Sequence, residues 1–282
     1  MLLFAFASAA FADGVVIHNT VPNLLPPSNA SRGYEATSSG EFGNLIQFAG
    51  DNPYTLVSAT VAMDTWALAS NYTADFGKTI GGVAITSAGF TIPLTLNIYD
   101  VGPEDTVGSS IETATIDAFI AWRNAPDPTD CPSSSGYPNN INQQRLGPDG
   151  NCYNGQLLTV TLNLPGVAVP SQVIYGLAFN TPNYGTEPTG AGPSTSLNFG
   201  LTQSDPTVGS NPLFGSAYTD PSSIEGDSSM AYDYIGQIEF TGIPVSAPVP
   251  EPFSLLFFGT GLFGLAAVVF RKPKPLYARM KP

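Results

Sequence analysis

Positive charge is scarce along most of this chain of 282 residues. The first 252 residues hold all 22 acidic residues but only Arg32, Lys78, Arg123 and Arg145, which gives a net charge of −18. Charged residues make up 11% of the whole chain, about half of the ~25% usual in globular proteins. Nucleic-acid phosphates need clustered Lys and Arg, so we expect no nucleic-acid partner.

Histidine is nearly absent as well, which limits the catalytic options. The single histidine, His18, lies close to the N-terminus, where chains are often disordered. Nucleophilic catalysis needs a base held rigidly beside the nucleophile, and zinc sites need several His or Cys ligands. The sequence contains neither a phosphate-binding loop nor a dinucleotide-binding glycine fingerprint. We therefore expect a protein that is not an enzyme.

Turn-forming and aromatic residues are abundant instead. The chain has 29 Gly, 26 Pro, 12 Tyr and 17 Phe, a composition that favours short strands joined by turns. Phe90–Ile98 and Leu158–Leu164 alternate between apolar and polar residues, as half-buried strands do, and Pro93 indicates an edge or a bulge. Further strands are predicted at Phe42–Phe48, Leu56–Met63, Ile116–Trp122, Val173–Phe179, Ser196–Leu201 and Tyr234–Phe240. The prediction is one all-β domain over residues 13–246, a β-sandwich of jelly-roll type, with Trp66 and Trp122 in its core.

Both ends of the chain carry apolar segments. Residues 1–12 are apolar and end in Ala10-Phe11-Ala12, which predicts a signal peptide; its shortness and lack of a basic start indicate a truncated N-terminus. Residues 253–270 hold no charge and as a helix would rise about 27 Å, which predicts a transmembrane helix. Arg271, Lys272 and Lys274 follow as a membrane stop within the basic tail 271–282.

Two cysteines, Cys131 and Cys152, lie in the long loop between Asn124 and Gly155. Export to an oxidising compartment favours a disulfide between them, and two unpaired buried thiols are the alternative. The bond would close a loop of about 22 residues and contribute about 3 kcal/mol on the chain-entropy model.

The C-terminal 36 residues resemble a known sorting signal. Residues 249–252 read Val-Pro-Glu-Pro and directly precede the apolar run and the basic stop. This arrangement is similar to the PEP-CTERM domain of Gram-negative bacteria, over residues 247–282. The resemblance implies that an exosortase in the inner membrane recognises Pro250, Glu251 and Pro252 and cleaves there. It also implies release to the cell surface or into an exopolysaccharide matrix.

A second resemblance covers most of residues 34–240. Leu96–Ser109, Val173–Thr181 and Gly192–Leu201, together with the cysteine pair, are similar to a family of exported bacterial proteins that has no assigned biochemical activity. The resemblance implies a single domain and supplies no catalytic residue.

The long loops carry two weaker predictions of binding sites. Oxygen ligands in the cysteine loop predict a calcium site at Asp127, Asp130, Asp149 and Asn151, with solvated turns rich in Asp and Asn as the alternative. Calcium is the one cofactor predicted. Tyrosines in the long loops predict a carbohydrate-binding surface at Tyr137, Tyr153 and Tyr184.

These features predict a non-enzymatic protein of the cell surface or extracellular matrix, structural or adhesive in exopolysaccharide. Its strong negative charge would permit bridging to acidic polysaccharide through divalent cations. One alternative is a calcium-assisted carbohydrate-binding module. The other is an extracellular glycoside hydrolase that uses paired carboxylates chosen from Glu225, Asp227, Asp233 and Glu239.

Overall fold

A computed structural model describes residues 14–132, 144–219, 223–226 and 233–245. About half of these residues lie in strands, and the described ranges also contain one four-residue helix, α1 (Tyr34–Thr37), and a few 3-10 turns. The strands are β1 (Val15–Asn19), β2 (Ser31–Gly33), β3 (Glu41–Gly43), β4 (Leu45–Gln47), β5 (Tyr54–Thr65), β6 (Thr79–Ile80), β7 (Val83–Ile85), β8 (Gly89–Val101), β9 (Val107–Ala121), β10 (Arg145–Leu146), β11 (Cys152–Tyr153), β12 (Gln156–Asn163), β13 (Ala168–Val169), β14 (Gln172–Ala178), β15 (Leu197–Thr202), β16 (Ser216–Thr219), β17 (Ser223–Gly226), β18 (Ile235–Gly236) and β19 (Ile238–Pro244). The predicted all-β class is confirmed.

The first sheet is built around β5, whose partners are all antiparallel. On one side of β5, β19 pairs along Tyr54–Val61 and β15 along Met63–Thr65. On the other side, β12 and β13 pair with β5. β1 extends the sheet beyond β19, and β2 and β18 pair with β15. The C-terminal end of β5 is therefore enclosed by strands from distant parts of the chain.

The second sheet is centred on β14 and β8. β3 and β4 pair with β14 on the side away from β8, and β16 and β17 follow β3 outward. β9 pairs with β8 along nearly its whole length, while β7 pairs with β8 only near Phe90 and is followed by β6. Pro93 lies between the stretches of β8 that pair with β7 and with β14, so β8 is bonded there on one side within the described residues. A proline is tolerated at such a position because a missing N–H breaks no ladder bond.

The two sheets pack face to face around one large apolar core. The Phe42 ring of the second sheet meets the Phe199 ring of the first edge-on at 6.1 Å, and Tyr175 meets Phe240 in the same way at 5.9 Å. The alternation that predicted β8 also identifies the face of this strand that packs in the core. The residues of that face, all buried, are Phe90, Ile92, Leu94, Leu96 and Ile98. The architecture is sandwich-like and all antiparallel.

His18 differs from the expectation for a residue near the N-terminus. It belongs to β1, pairs opposite Phe240 and is completely buried, because β1 is held against β19 from the other end of the domain. Burial lowers the pKa of His18 from 6.5 to about 4. The expectation of disorder at His18 was therefore wrong.

The disulfide between Cys131 and Cys152 is present, with the Cα atoms 5.7 Å apart. It ties the end of the Asp127 turn to β11. The predicted signal peptide, sorting motif, transmembrane helix and basic tail lie outside the described residues. No helix within the described ranges is long and apolar enough to cross a membrane.

Candidate functional site

Two polar clefts lie next to α1. The larger, which we name the Trp66 cleft, has a volume of about 740 Å³ and is bordered by Trp66, Tyr153, Asn154 and Asn198. The smaller, the Tyr184 cleft, has a volume of about 510 Å³ and is bordered by Tyr184 and by Pro93, Thr95 and Glu41 of the second sheet. Both volumes fall in the ~300–1,000 Å³ range of small-molecule sites.

The floor of the Trp66 cleft is formed where three strands of the first sheet meet. Asn198 of β15 lies directly opposite Asp64 of β5 and opposite Gly33 of β2. Directly opposed residues in antiparallel strands point to the same face of the sheet. Met63 and Phe199, the neighbours of Asp64 and Asn198, belong to the core, so this floor faces away from the core.

Asp64 fixes the walls of the cleft from below. Its Oδ2 accepts hydrogen bonds from the Trp66 indole Nε1 at 3.0 Å and from the Ser31 hydroxyl at 3.2 Å, and the Ser28 hydroxyl lies at 3.5 Å. Gly155 makes the close approach possible, since a Cβ there would lie 2.4 Å from Asp64 Oδ1. Asp64 is completely buried, and this burial raises its pKa to about 6.

Two buried arginines support the same region. Arg145 Nε donates to the Gly155 carbonyl at 2.9 Å, Arg145 Nη2 donates to the Pro27 carbonyl, and the guanidinium lies 5.8 Å from the Tyr153 ring centre. Arg123 Nε donates to the Trp66 carbonyl at 2.9 Å. The arginines hold the backbone that carries the cleft residues, which pre-organises the cleft.

Hydroxyl and amide groups dominate the lining of the Trp66 cleft. The polar side chains are Ser28, Asn29, Ser31, Thr37, Gln144, Asn154, Thr195, Ser196 and Asn198. Asn154 Oδ1, Asp64 Oδ1 and Arg123 Nη1 are buried without a hydrogen-bond partner among the described residues. Buried polar atoms without partners are costly, so their concentration around one cleft indicates a place for water or a polar ligand.

The Tyr184 cleft lies on the outer face of the second sheet. Ala178 of β14 is opposite both Glu41 of β3 and Thr95 of β8, so the three share one face. The Glu41 side chain lies directly over Gly176, since a Cβ at position 176 would be 1.7 Å from Glu41 Oε1. The Glu41 carboxylate accepts a hydrogen bond from the Tyr99 hydroxyl at 3.0 Å. The loop after β14 forms the opposite wall and carries Tyr184.

The residues predicted to bind calcium form two separate turns. Asp127 Oδ1 accepts the backbone N–H groups of Thr129 and Asp130 at 3.1 and 3.0 Å. Asp149 Oδ2 accepts the Asn151 side-chain amide at 2.9 Å and the Tyr153 hydroxyl at 2.5 Å. Within the described parts of the chain, no group of three or more His, Cys, Asp or Glu side chains is arranged to hold a metal ion. Calcium binding at this loop stays a prediction.

The predicted carbohydrate residues do not gather in one place. Tyr137 lies outside the described residues, Tyr153 borders the Trp66 cleft and Tyr184 borders the other cleft. Trp122 is buried in the core as predicted, whereas Trp66 is half-buried and lines a cleft. A sequence signal for Trp66 existed in Asp64, because a lone carboxylate inside an otherwise buried strand is unusual without a structural or functional reason.

Two of the predicted catalytic carboxylates belong to different sheets. Glu239 belongs to β19 of the first sheet and Glu225 to β17 of the second, while Asp227 lies outside the described residues and Asp233 is exposed. Of the four, Asp233 and Glu239 have described side chains, and neither lines the two clefts.

Comparison with protein-family models, with curated proteins and with solved structures finds no match to this chain.

Proposed function

We propose that this chain is an exported, non-enzymatic protein of the cell surface or extracellular matrix that binds polysaccharide in the Trp66 cleft. Its export, its transient inner-membrane anchor and its release by an exosortase are proposed from the resemblance of residues 247–282 to the PEP-CTERM domain. We also propose that the sandwich is of jelly-roll type and that residues 253–270 form a transmembrane helix.

The lining of the Trp66 cleft carries the proposal. A sugar ring offers an apolar face and a rim of hydroxyls, which suits aromatic surfaces flanked by amide and hydroxyl groups. The cleft supplies Trp66 and Tyr153 as aromatics and Asn154 and Asn198 as amides. Asp64 holds the indole in place before any ligand arrives, which reduces the entropy lost on binding.

The distribution of carboxylates supports the non-enzymatic part of the proposal. Glycoside hydrolases use two carboxyl groups about 5–9.5 Å apart across the scissile bond. No Asp or Glu is among the described residues that line the Trp66 cleft, and Asp64 lies completely buried beneath its floor. Glu41 is the one carboxylate among the described residues bordering the Tyr184 cleft.

The test is retention of the full chain on polysaccharides embedded in a native gel. The protein is purified in a polyoxyethylene detergent, which has no sugar headgroup, and the probes are hydroxyethylcellulose, dextran and alginate. Trp66→Ala should weaken retention about tenfold, since loss of an aromatic contact costs about 1.4 kcal/mol. Phe119→Ala is the matched control, because Phe119 is 54% exposed on β9 and lines neither cleft.

Thermal unfolding of both variants separates loss of binding from loss of fold. Retention that is absent on all three polysaccharides, or equal in Trp66→Ala and the wild type, would contradict the proposal. Release of reducing ends from a probe would instead favour the glycoside-hydrolase alternative.

A further inference from the structure

The Tyr184 cleft has the features of a second ligand site. Tyr184 provides an aromatic surface, Pro93 an exposed apolar one, and Ser38, Thr95, Asn97 and Thr186 provide hydroxyl and amide groups. This chemistry matches that of the Trp66 cleft. Among the described residues, the two clefts share no lining residue, so occupation of one leaves the described lining of the other complete.

The wall of the Tyr184 cleft is held in place by hydrogen bonds. Thr181 is completely buried; its N–H donates to the Tyr184 carbonyl at 2.9 Å, and its hydroxyl accepts the Tyr184 N–H at 3.1 Å. Glu35 of α1 accepts bonds from the Thr181 hydroxyl at 2.9 Å and from the Asn183 amide. A loop that is already ordered loses little entropy when it binds a ligand.

The floors of the two clefts face in opposite directions. Asp64 and Asn198 lie on the outer face of the first sheet, because their neighbours Met63 and Phe199 point into the core. Glu41 and Ala178 lie on the outer face of the second sheet, because Phe42 and Leu177 point into the same core. Because this core lies between the two sheets, the floors of the two clefts face opposite sides of the sandwich.

The short helix α1 marks the boundary between the clefts. Thr37 borders the Trp66 cleft, and the next residue, Ser38, borders the Tyr184 cleft. Tyr34 anchors the helix, since its ring stacks on Phe179 at 4.1 Å and its hydroxyl donates to the Leu177 carbonyl. A stiff glycan would have to reverse direction around this fixed helix in order to fill both clefts.

The charge of the cleft linings favours neutral glycans over anionic ones. No Lys or Arg is among the described residues that line either cleft, while Glu41 borders the Tyr184 cleft. Anionic sugars would therefore meet no positive partner at these walls. Neutral hexose units fit both linings.

We propose that the Tyr184 cleft is a second neutral-glycan site and that the protein bridges two polysaccharide chains, one bound on each face of the sandwich. This inference rests on the proposed function, because it takes the Trp66 cleft as the first site. A bivalent protein holds chains together more strongly than either site alone, and it converts binding into cross-linking.

The first experiment is isothermal titration of the full chain with cellotetraose and with maltotetraose, two neutral probes of different linkage. Two molecules of the better probe should bind each chain. Trp66→Ala and Tyr184→Ala should each leave one, with the remaining affinity unchanged within about twofold, because separate sites behave additively. Phe119→Ala should retain both sites.

The second experiment measures bridging directly. Fluorescent hydroxyethylcellulose should be captured on cellulose beads by the wild-type chain, and by neither single variant, although each variant still binds the beads. Capture by a single variant, or one oligosaccharide per wild-type chain, would overturn the inference. If Trp66→Ala alone abolishes all binding, the proposed function stands and the second site fails; if the wild type binds neither probe, both fail.

Discussion

At the scale of single residues, two buried ionisable groups oppose each other. Asp64 has a pKa near 6, compared with an ordinary value of 3.8, so the folded state binds the proton more tightly than the unfolded state does. The folded state therefore loses stability as the pH rises from about 4 to 6. His18 has a pKa near 4, compared with an ordinary value of 6.5, so the unfolded state binds the proton more tightly than the folded state does. The folded state therefore loses stability as the pH falls from about 6.5 to 4. The two effects oppose each other between about pH 4 and 6, where both groups change charge.

Single substitutions should separate the two opposing effects of pH on the unfolding free energy. Relative to the wild type, Asp64→Asn should gain stability as the pH rises from about 4 to 7, and His18→Leu should gain it as the pH falls over the same range. Each shift of about two pKa units corresponds to on the order of 3 kcal/mol. Urea unfolding at several pH values measures both differences.

Asp51→Asn serves as the control for Asp64, since Asp51 is exposed and the change removes the same charge. A difference between Asp64→Asn and the wild type that is independent of pH would contradict the assignment. Asp64 also illustrates why residue identity alone was insufficient: the sequence contains 22 acidic residues, and only the pairing of β5 with β15 and β12 shows that this one is enclosed.

At the scale of elements, the disulfide stabilises the hairpin that forms one wall of the Trp66 cleft. Cys152 belongs to β11, which pairs with β10, and both Cys152 and its neighbour Tyr153 border the cleft. Cys131 is almost completely buried and follows the turn capped by Asp127. The disulfide therefore joins the turn that follows Asp127 to the wall of the Trp66 cleft.

Removal of this bond should weaken both stability and binding. The Cys131→Ser, Cys152→Ser double variant should lose about 3 kcal/mol of unfolding free energy, because the unfolded chain regains the freedom of the closed loop. Its retention on polysaccharide should fall more than that of Phe119→Ala, since Tyr153 and Asn154 lose their anchor. Urea unfolding and gel retention measure the two effects; an unchanged unfolding free energy would contradict the prediction.

At the scale of the whole molecule, three of the four basic residues in the first 252 residues are buried. Arg32, Arg123 and Arg145 are 7%, 5% and 4% exposed, and they bind backbone or hydroxyl oxygens. Lys78 is the remaining basic residue of this stretch, and it pairs with Asp75 at 3.0 Å. Asp64 and Glu41 are buried as well, so the surface that this stretch presents to a polymer stays strongly acidic.

This charge should make binding to anionic glycans depend on salt. Hydroxyethylcellulose and carboxymethylcellulose share a backbone and differ in charge, so they form a matched pair. Retention on the anionic polymer should rise as ionic strength increases from about 0.01 to 0.15 M, because the Debye length falls from about 30 to 8 Å and screens the repulsion. Retention on the neutral polymer should stay constant, and tighter anionic binding at low salt would contradict this picture.

The sequence by itself determined the local features of this protein. Alternation in Phe90–Ile98 and Leu158–Leu164 predicted strands and their buried faces, because side chains in a strand alternate with a period of two residues. The cysteine pair in a Pro- and Gly-rich loop predicted the disulfide.

Only the tertiary structure decided where distant segments meet. β1 pairs with β19, and β5 meets β2 through β15, across separations that no local pattern encodes. These pairings buried His18, moved Trp66 from the predicted core to a cleft, and divided Tyr153 and Tyr184 between opposite faces. The physical reason is that a strand's pattern fixes which face is apolar, whereas its partner is chosen by register and packing along the whole chain.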